Sequence, residues 1–264
     1  MNNNALVSLI NIKEVKNIIK IFEQDKKETN LVGGCVRDAF LGKHTYDIDI
    51  ALDAKPDEII NILQKNKIQY QDFAYKYGSI STKINKYKFQ ITSLREDIMQ
   101  IGRHTNIVFT NNWEKDAKRR DFTINSIYLS GDGKVKDYFN GLDHIKEKKI
   151  QFIGKIQSRI KEDYLRYFRY YRFLGLFNKS KINENYREIL NEYNLEVYNY
   201  LSNEIIRHEI LKMLNMSFPL NCFFENFKTM KKRSWLVLTQ EQFIKTNYQL
   251  GLNKCLNKID KLIN

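Results

Sequence analysis

Two aspartates that stand two residues apart, Asp47 and Asp49, are the residues of this sequence best suited to chemistry. They belong to the run Asp47-Ile48-Asp49-Ile50, whose alternation of polar and apolar residues predicts a strand. Because successive side chains of a strand point to opposite faces, both carboxylates share one face and both isoleucines share the other. Paired carboxylates favour a site for a divalent metal ion and a phosphorylated ligand. The structural alternative is an edge strand with one solvated face.

A glycine turn precedes these aspartates in the sequence. Leu31-Val32 predicts a short strand, Gly33-Gly34 a turn, and the residues from about Cys35 to Leu41 a helix. The first N–H groups of a helix attract phosphate, and Arg37 falls in the first turn of this one. Glycines there let the backbone approach a nucleotide closely, although Gly-Gly is more often an ordinary turn.

A second group of polar residues follows in the segment from Trp113 to Leu129. Arg119 and Arg120 are adjacent, and a guanidinium forks onto phosphate oxygens, so the pair could grip a triphosphate. Asp121 and Asn125 are four residues apart, which on a helix places them on one face, where they could hydrogen-bond a ribose. The alternative for the Arg-Arg-Asp triplet is a solvated charged turn.

A third group lies on the aromatic-rich segment from Lys161 to Phe177, which predicts a largely buried helix. Asp163 and Arg166 are three residues apart on one predicted helical face, as in an ordinary helix ion pair. Further basic residues are predicted to bind RNA: Arg169, Arg172, Lys231, Lys232 and Arg233.

The elements around these groups predict two regions. Residues 1–150 combine helical and strand patterns, including a hairpin of Ser79 to Ile84 and Tyr87 to Leu94, and predict a head with a mixed sheet. The polar segment from Arg95 to Asn112 is expected to be a partly mobile loop. Residues 151–264 show helical spacing only, so we predict an α+β chain with a second, all-helical domain.

The composition indicates a nucleic-acid partner. The formal net charge is +13, and residues 151–264 carry 19 basic and 11 acidic residues, compared with 25 and 20 in residues 1–150. Such a surface favours an anionic polymer over a membrane, with lysine-rich genome bias as the alternative. Three scattered cysteines argue against disulfides or a zinc site and for a reducing, cytoplasmic location. No transmembrane run or secretory signal is present in the sequence given.

Taken in order, these motifs resemble those of the class II nucleotidyltransferases, the family of CCA-adding tRNA nucleotidyltransferases and bacterial poly(A) polymerases. The resemblance covers roughly residues 30 to 215. Its motifs are Gly33-Gly34-x-Val36-Arg37-Asp38 with Asp47-x-Asp49, Arg119 to Asn125, Asp137 to Asp143, and Glu162-Asp163-x-x-Arg166. The glycine motif looks more like the CCA-adding branch.

The resemblance implies a DNA polymerase β-like nucleotidyltransferase head followed by an all-helical neck and short body. It implies template-independent addition of C, C and A to the 3′ end of tRNA from CTP and ATP, releasing pyrophosphate by two-metal phosphoryl transfer. Asp47 and Asp49 would hold two Mg²⁺ ions, and Asp163 and Arg166 would select the incoming base. Triphosphate and ribose contacts are implied for Gly33, Gly34, Arg37, Arg119, Arg120, Asp121 and Asn125. No membrane and no obligate protein partner is implied.

Three departures from the family pattern leave alternatives open. Gln90 stands where relatives commonly have an acidic residue facing the aspartates, with Asp97 a substitute only if its loop folds back. Ile205 follows Glu204 where relatives usually have arginine. The chain is also shorter than is typical, which we expect to weaken the grip on tRNA unless the basic second half compensates. The alternatives are poly(A), A-only or CC-only addition, and an RNA-binding protein with a decayed active site.

Overall fold

The protein is described here by a computed structural model that covers residues 3–101, 104–180 and 183–223. Within these ranges the chain forms two compact units, one of residues 3–145 with 151–154 and one of residues 146–150 with 155–223. Residues 146–154 alternate between the two units, so the predicted boundary at residue 150 stays a prediction.

The first unit combines helices with strands, and the second is helical in its described residues. The elements of the first unit are α1 (Asn3–Ile10), α2 (Lys13–Gln24), β1 (Thr29–Val32), α3 (Gly34–Phe40), β2 (Asp47–Leu52), α4 (Pro56–Lys65), β3 (Gln71–Ala74), β4 (Ser79–Ile84), β5 (Tyr87–Ser93), β6 (Arg95–Ile101), β7 (His104–Phe109), α5 (Trp113–Arg119), β8 (Ile127–Ser130), β9 (Val135–Asp137) and α6 (Gly141–Lys146). Those of the second are α7 (Ile156–Glu162), α8 (Leu165–Leu174), α9 (Glu184–Tyr200), α10 (Asn203–Leu214) and α11 (Leu220–Phe223).

Seven strands of the described part of the chain form one mixed sheet in the order β3-β4-β5-β2-β1-β8-β9. The β2–β5 pair is parallel, and the other pairs in the sheet are antiparallel. The α+β class predicted from the sequence is therefore confirmed. Strand β2 lies between β5 and β1, and the two aspartates have their directly paired neighbours on β5.

The alternation of residues decides which face of the sheet is buried. Ile48, Ile50, Phe89 and Ile91 are buried to 99% or more and contribute to the core. Helix α4 packs over β4 and β5, and α3 packs on β1 and β2. The opposite face of β2 and β5 carries the polar residues, so the fold holds them at the surface on a rigid support.

The hairpin of β4 and β5 confirms the prediction for Ser79 to Leu94. Its turn lacks glycine, and Asn85 instead adopts the left-handed conformation at φ 54°. Asparagine tolerates this region because its short side chain can hydrogen-bond locally.

The segment from Arg95 to Asn112 differs from the prediction of a loop. Its described residues include β6 and β7, which pair as an antiparallel hairpin with an irregular register between Asp97 and Met99. The polar composition hid this pairing, because neither face of the hairpin needs the apolar alternation that marks a half-buried strand.

The N-terminal residues form two helices, α1 and α2, with a break between Ile10 and Lys13. Helix α2 buries Val15, Ile18 and Phe22 along one side. None of the helices in the described ranges is long and apolar enough to cross a membrane.

Helix α8 forms the centre of the second unit. It buries a group of aromatic side chains and packs against α9, α10 and α11. That group is Tyr167, Phe168, Tyr170, Tyr171 and Phe173. The prediction of a largely buried helix is confirmed for α8, whereas the continuous helix from Lys161 is wrong, because the backbone is extended at Asp163.

Candidate active site

The two aspartates stand on the solvent-facing side of β2, as the sequence predicts. Asp47 is exposed and Asp49 half-buried, while Ile48 and Ile50 are buried on the other face. On the parallel neighbour β5, Gln90 lies directly across from Asp49. Strand geometry thus delivers two carboxylates and one amide to the same patch of the sheet.

This donor set fits Mg²⁺. Hard divalent ions prefer carboxylate and carbonyl oxygens, and Mg²⁺ keeps several waters when only one or two carboxylates bind it. The Gln90 amide nitrogen donates to Ser79 Oγ at 3.0 Å. The amide oxygen is therefore the atom of Gln90 that is left to coordinate a metal ion. No group of three or more His, Cys, Asp or Glu side chains in the described part of the chain is arranged to hold a metal ion. Asp97 pairs with Arg95 at 3.6 Å in the β6 strand.

Gly33 lies beside both Asp49 and Arg120. It precedes α3 with φ 76°, a conformation that L side chains rarely adopt. A Cβ atom there would lie 3.4 Å from Asp49 Oδ2 and 3.6 Å from Arg120 Nη1. The missing side chain therefore leaves free a space that borders both a negative and a positive group. At Gly34 a Cβ atom would lie 3.6 Å from Arg37 Nη2.

A single buried carboxylate holds both predicted triphosphate arginines. Asp116 is fully buried and accepts from Arg119 Nε at 2.9 Å, from Arg120 Nη2 at 3.2 Å and from the Tyr128 hydroxyl at 2.6 Å. Burial of the Asp116 carboxyl opposes its ionisation, yet the two guanidinium groups outweigh burial and lower its pKa to about 2. The arginines are thus fixed in place by their own counter-ion.

A third arginine joins them in a cleft of about 380 Å³. Arg95 donates to the Tyr77 carbonyl oxygen and, through its backbone N–H, to Asp116 Oδ1 at 3.2 Å. Burial, followed by the charge of Arg119, lowers the Arg95 pKa to about 10, so the guanidinium stays charged at neutral pH. The cleft is lined by Val32, Asp49, Ile50, Ala74, Tyr77, Ser79, Gln90, Thr92, Arg95, Arg119 and Arg120. It offers three cations beside one of the paired carboxylates.

Asp121, Asn125 and Arg37 form a buried network behind the glycine turn. Asn125 Nδ2 donates to Asp121 Oδ1 at 3.1 Å, and Arg37 Nη1 donates to Asn125 Oδ1 at 2.7 Å. Arg37 also bonds Asp38 at 2.9 Å. The prediction that Asp121 and Asn125 share a helical face is wrong, because α5 ends at Arg119 and Asn125 closes a short 3-10 turn. The network ties this turn to α3.

In the second unit, Asp163 and Arg166 have separate partners. Asp163 Oδ1 accepts from the Leu165 N–H at 3.0 Å at the start of α8. Arg166 Nη1 donates to Glu162 Oε2 at 2.5 Å and to the Arg159 carbonyl oxygen at 3.1 Å. The expected ion pair on one helical face is therefore replaced by the Asp163–Leu165 hydrogen bond and by a Glu162–Arg166 pair.

The predicted RNA-contacting residues fall into two sets. Arg172 pairs with the buried Glu209 at 2.7 Å, and the guanidinium of Arg169 lies 5.8 Å from the centre of the Phe173 ring. The basic cluster Lys231, Lys232 and Arg233 lies outside the described residues. Their contact with RNA stays a prediction.

Sequence reasoning missed Asp116, Tyr128 and Arg95. Asp116 precedes Arg119 and Arg120 by three and four residues, which is the spacing of helical ion pairs. These two ion pairs could therefore have been predicted from the sequence. Tyr128 comes from β8 and Arg95 from β6, and only the fold brings them to α5.

The comparison with protein families decides the assignment of the first unit. Residues 29–151 match the model of the Poly A polymerase head domain. They belong to the class II nucleotidyltransferases. The matched range of this nucleotidyltransferase head contains the paired aspartates, Gly33, and the arginines anchored on Asp116.

Named relatives of this chain include the CCA tRNA nucleotidyltransferase 1, mitochondrial, of Homo sapiens. It is 41% identical over 162 residues, which are 61% of this chain and 37% of the relative. The CCA-adding enzyme of Lactobacillus gasseri is 34% identical over 198 residues, covering 74% of this chain and 48% of the relative. This chain thus spans about half or less of the length of these relatives.

A solved structure gives the same result for the nucleotidyltransferase fold. The crystal structure of the Bacillus stearothermophilus CCA-adding enzyme in complex with CTP superposes with a TM-score of 0.69 at 27% identity. The match covers 80% of this chain and 50% of that one.

Proposed function

We propose that this chain adds C, C and A to the 3′ end of tRNA from CTP and ATP and releases pyrophosphate. The observation that carries the proposal is the cleft in which three arginines lie beside Asp49. Asp49 shares its strand face with Asp47. A site that combines metal-binding carboxylates with fixed cations suits transfer of a nucleotidyl group. The names of the relatives supply the substrates: CCA-adding enzymes, and a tRNA nucleotidyltransferase complexed with a primer tRNA and an incoming ATP analog.

The arginines account for binding of the triphosphate. The ion pairs with Asp116 fix the positions of Arg119 and Arg120. Cations that are already in place stabilise the charge that develops in the transition state without having to reorganise. Gly33 leaves room for the phosphates between Arg120 and Asp49. The chain's own contribution is therefore to hold and orient the nucleotide.

Asp47 and Asp49 would hold two Mg²⁺ ions. When bound, Mg²⁺ supplies activation of the attacking hydroxyl and neutralisation of the leaving pyrophosphate. Gln90 adds an oxygen without charge, so the site depends on the two carboxylates for its electrostatic attraction.

The choice of base is assigned to Asp163 and Arg166. A carboxylate accepts from the exocyclic amino group that cytosine and adenine share, and a guanidinium donates to the ring nitrogen beside it. Guanine and uracil present the reverse pattern and would leave these charged groups unpaired, at a cost of about 1–3 kcal/mol for each lost bond. Glu162 holds Arg166 in place for this task.

Two further candidates each rest on one observation. The family model is that of a poly(A) polymerase head, which favours addition of A alone. The neutral Gln90 beside the aspartates favours an RNA-binding protein whose catalysis has decayed. We also propose a cytoplasmic location, which the free thiols of Cys35 and Cys222 support. The name of the human relative, by contrast, places that protein in mitochondria.

A primer-extension assay tests these candidates. Purified protein, Mg²⁺ and a tRNA transcript lacking its CCA end are incubated with CTP, ATP or both. Three added nucleotides that require both substrates support the proposal. Two from CTP alone with no response to ATP would indicate a CC-adding enzyme, and long A tracts a poly(A) polymerase. RNA binding without extension would contradict the enzyme and favour the decayed site.

A further inference from the structure

A row of lysines continues the row of the first aspartate across the sheet. In the β4–β5 pair Lys83 lies directly opposite Lys88, and in the β5–β2 pair Lys88 lies directly opposite Asp47. Neighbours in such a row share a face, and Cβ atoms directly opposite each other are about 5 Å apart. Both lysines are exposed on the face that carries Asp47.

The pairing of Lys83 with Lys88 does not stabilise the fold. Like charges directly opposite each other on antiparallel strands are destabilising. Neither Lys83 nor Lys88 forms an ion pair with any residue of the described ranges. Two lysines on neighbouring strands, directly opposite each other and without an ion pair in the described ranges, indicate an anionic ligand that binds between or above them.

The space for that ligand is a cleft of about 640 Å³ on the same face. Its lining includes Lys83, Lys88 and Asp47, together with Gln71 and Ser81. Asp49 and Gln90 belong to this cleft and also to the arginine-lined cleft. Two clefts thus meet at the paired carboxylates, and basic residues line both of them, arginines in one and lysines in the other.

The chemistry divides the two clefts between two substrates. Transfer of a nucleotidyl group brings a triphosphate and a hydroxyl-bearing strand end to one point. Arginine forks suit a triphosphate, which must be held in one geometry, whereas lysine is a point charge that suits a backbone of variable conformation. We propose that Lys83 and Lys88 bind the sugar-phosphate backbone at the 3′ end of the RNA that is extended. This inference rests on the proposed function and names the second half of its site.

The test compares the Lys83→Gln/Lys88→Gln double variant with a control of equal charge change. Lys16 and Lys20 are exposed on α2 and line neither cleft, so Lys16→Gln/Lys20→Gln is that control. A Lys83→Arg/Lys88→Arg variant keeps both charges. RNA affinity is measured over a salt series with a fluorescent stem-loop that ends in a single-stranded 3′ segment, and KM is measured for RNA and for CTP.

Loss of two contacts to a single strand should reduce the slope of log affinity against log salt by about 1.4 and weaken binding about tenfold at 0.15 M salt. We expect this for the glutamine variant, with KM raised for RNA and unchanged for CTP. The Lys16/Lys20 control should behave as wild type, and the arginine variant should keep the wild-type salt slope because it keeps both charges. The melting temperature of the glutamine variant should be unchanged or higher, since the substitution removes the repulsion between Lys83 and Lys88. The same measurement serves as the control that the variant is folded.

Several outcomes would overturn the inference. Unchanged RNA affinity and salt slope would do so, as would a raised KM for CTP alone, which would place a triphosphate at the lysines. A fall in kcat at constant KM for RNA would mean that the lysines act on the carboxylates instead. If wild type binds RNA but does not extend it, the proposed function fails, and the affinity comparison still decides the role of the lysines.

Discussion

At the scale of single residues, the site depends on a few side chains that cannot replace one another. Asp47 and Asp49 supply the negative charge of the site, because the neighbouring Gln90 is a neutral amide. Asp116 is the shared counter-ion of Arg119 and Arg120. Each of these positions makes a separate prediction.

Asp47→Asn should lower the rate of nucleotide addition by about a thousandfold or more, because metal-derived charge stabilisation is worth several kcal/mol. RNA affinity should stay within about twofold of wild type, since the change removes no cation. Single-turnover extension and anisotropy with the same RNA measure the two quantities. Retained turnover would contradict the assignment of the aspartates.

Gln90→Glu should strengthen divalent metal binding roughly tenfold, because it adds a third carboxylate opposite Asp49. Direct titration with Mn²⁺, followed by electron paramagnetic resonance, measures the affinity without relying on activity. Gln24→Glu, the same chemical change at an exposed position of α2, is the control. Equal metal affinity in Gln90→Glu and wild type would exclude position 90 from the metal site.

Asp116→Asn should lower the free energy of unfolding by about 3–5 kcal/mol at pH 7, because it leaves two guanidinium groups without their buried partner. The wild-type pKa of about 2 lies below the ordinary value of 3.8, so the stabilisation is complete above about pH 4 and is lost as the pH falls towards 2. Urea unfolding at pH 7 and pH 3 measures this. The difference between wild type and variant should shrink at the lower pH, and Asp72→Asn, an exposed control, should show neither effect.

At the scale of elements, the sequence predicts what local periodicity encodes. The β2 alternation and the β4–β5 hairpin follow from patterns of two residues, and the structure confirms both. The parallel pairing of β2 with β5 joins residues about forty positions apart, which no local pattern specifies. The contact of Tyr128 with Asp116 was missed for the same reason, since β8 and α5 meet only in the folded chain.

The turn before α3 offers a prediction with a matched control. Gly33 and Gly42 both have positive φ, at 76° and 71°, but a Cβ at Gly42 meets nothing within 4 Å. Gly42→Ala should therefore cost only the backbone strain, about 1 kcal/mol of unfolding free energy. Gly33→Ala should add a rise in KM for CTP, because the methyl group enters the space between Asp49 and Arg120. Steady-state kinetics and urea unfolding of both variants separate strain from crowding, and equal KM values would refute the assignment of that space to the phosphates.

At the scale of the whole molecule, each unit contains its own buried thiol. Burial raises the pKa of Cys35, in the first unit, and of Cys222, in the second, to about 12. In a Cys255→Ser background, both thiols should react with a disulfide reagent at pH 8 only as fast as their units open. Mass spectrometry of the two peptides over time gives an opening rate for each unit. Immediate labelling of either cysteine in the native protein would contradict its burial.

The shared wall of the two clefts has a consequence for inhibitor design. Asp49 and Gln90 border both spaces, so a single compound could fill the arginine-lined cleft with a polyphosphate and the lysine-lined cleft with a short sugar-phosphate. Joining two weak fragments across this wall makes the second binding event intramolecular, with an effective concentration in the millimolar range for a short linker. Substitution of either wall residue to resist the compound would also alter the proposed metal site, which leaves few routes to resistance.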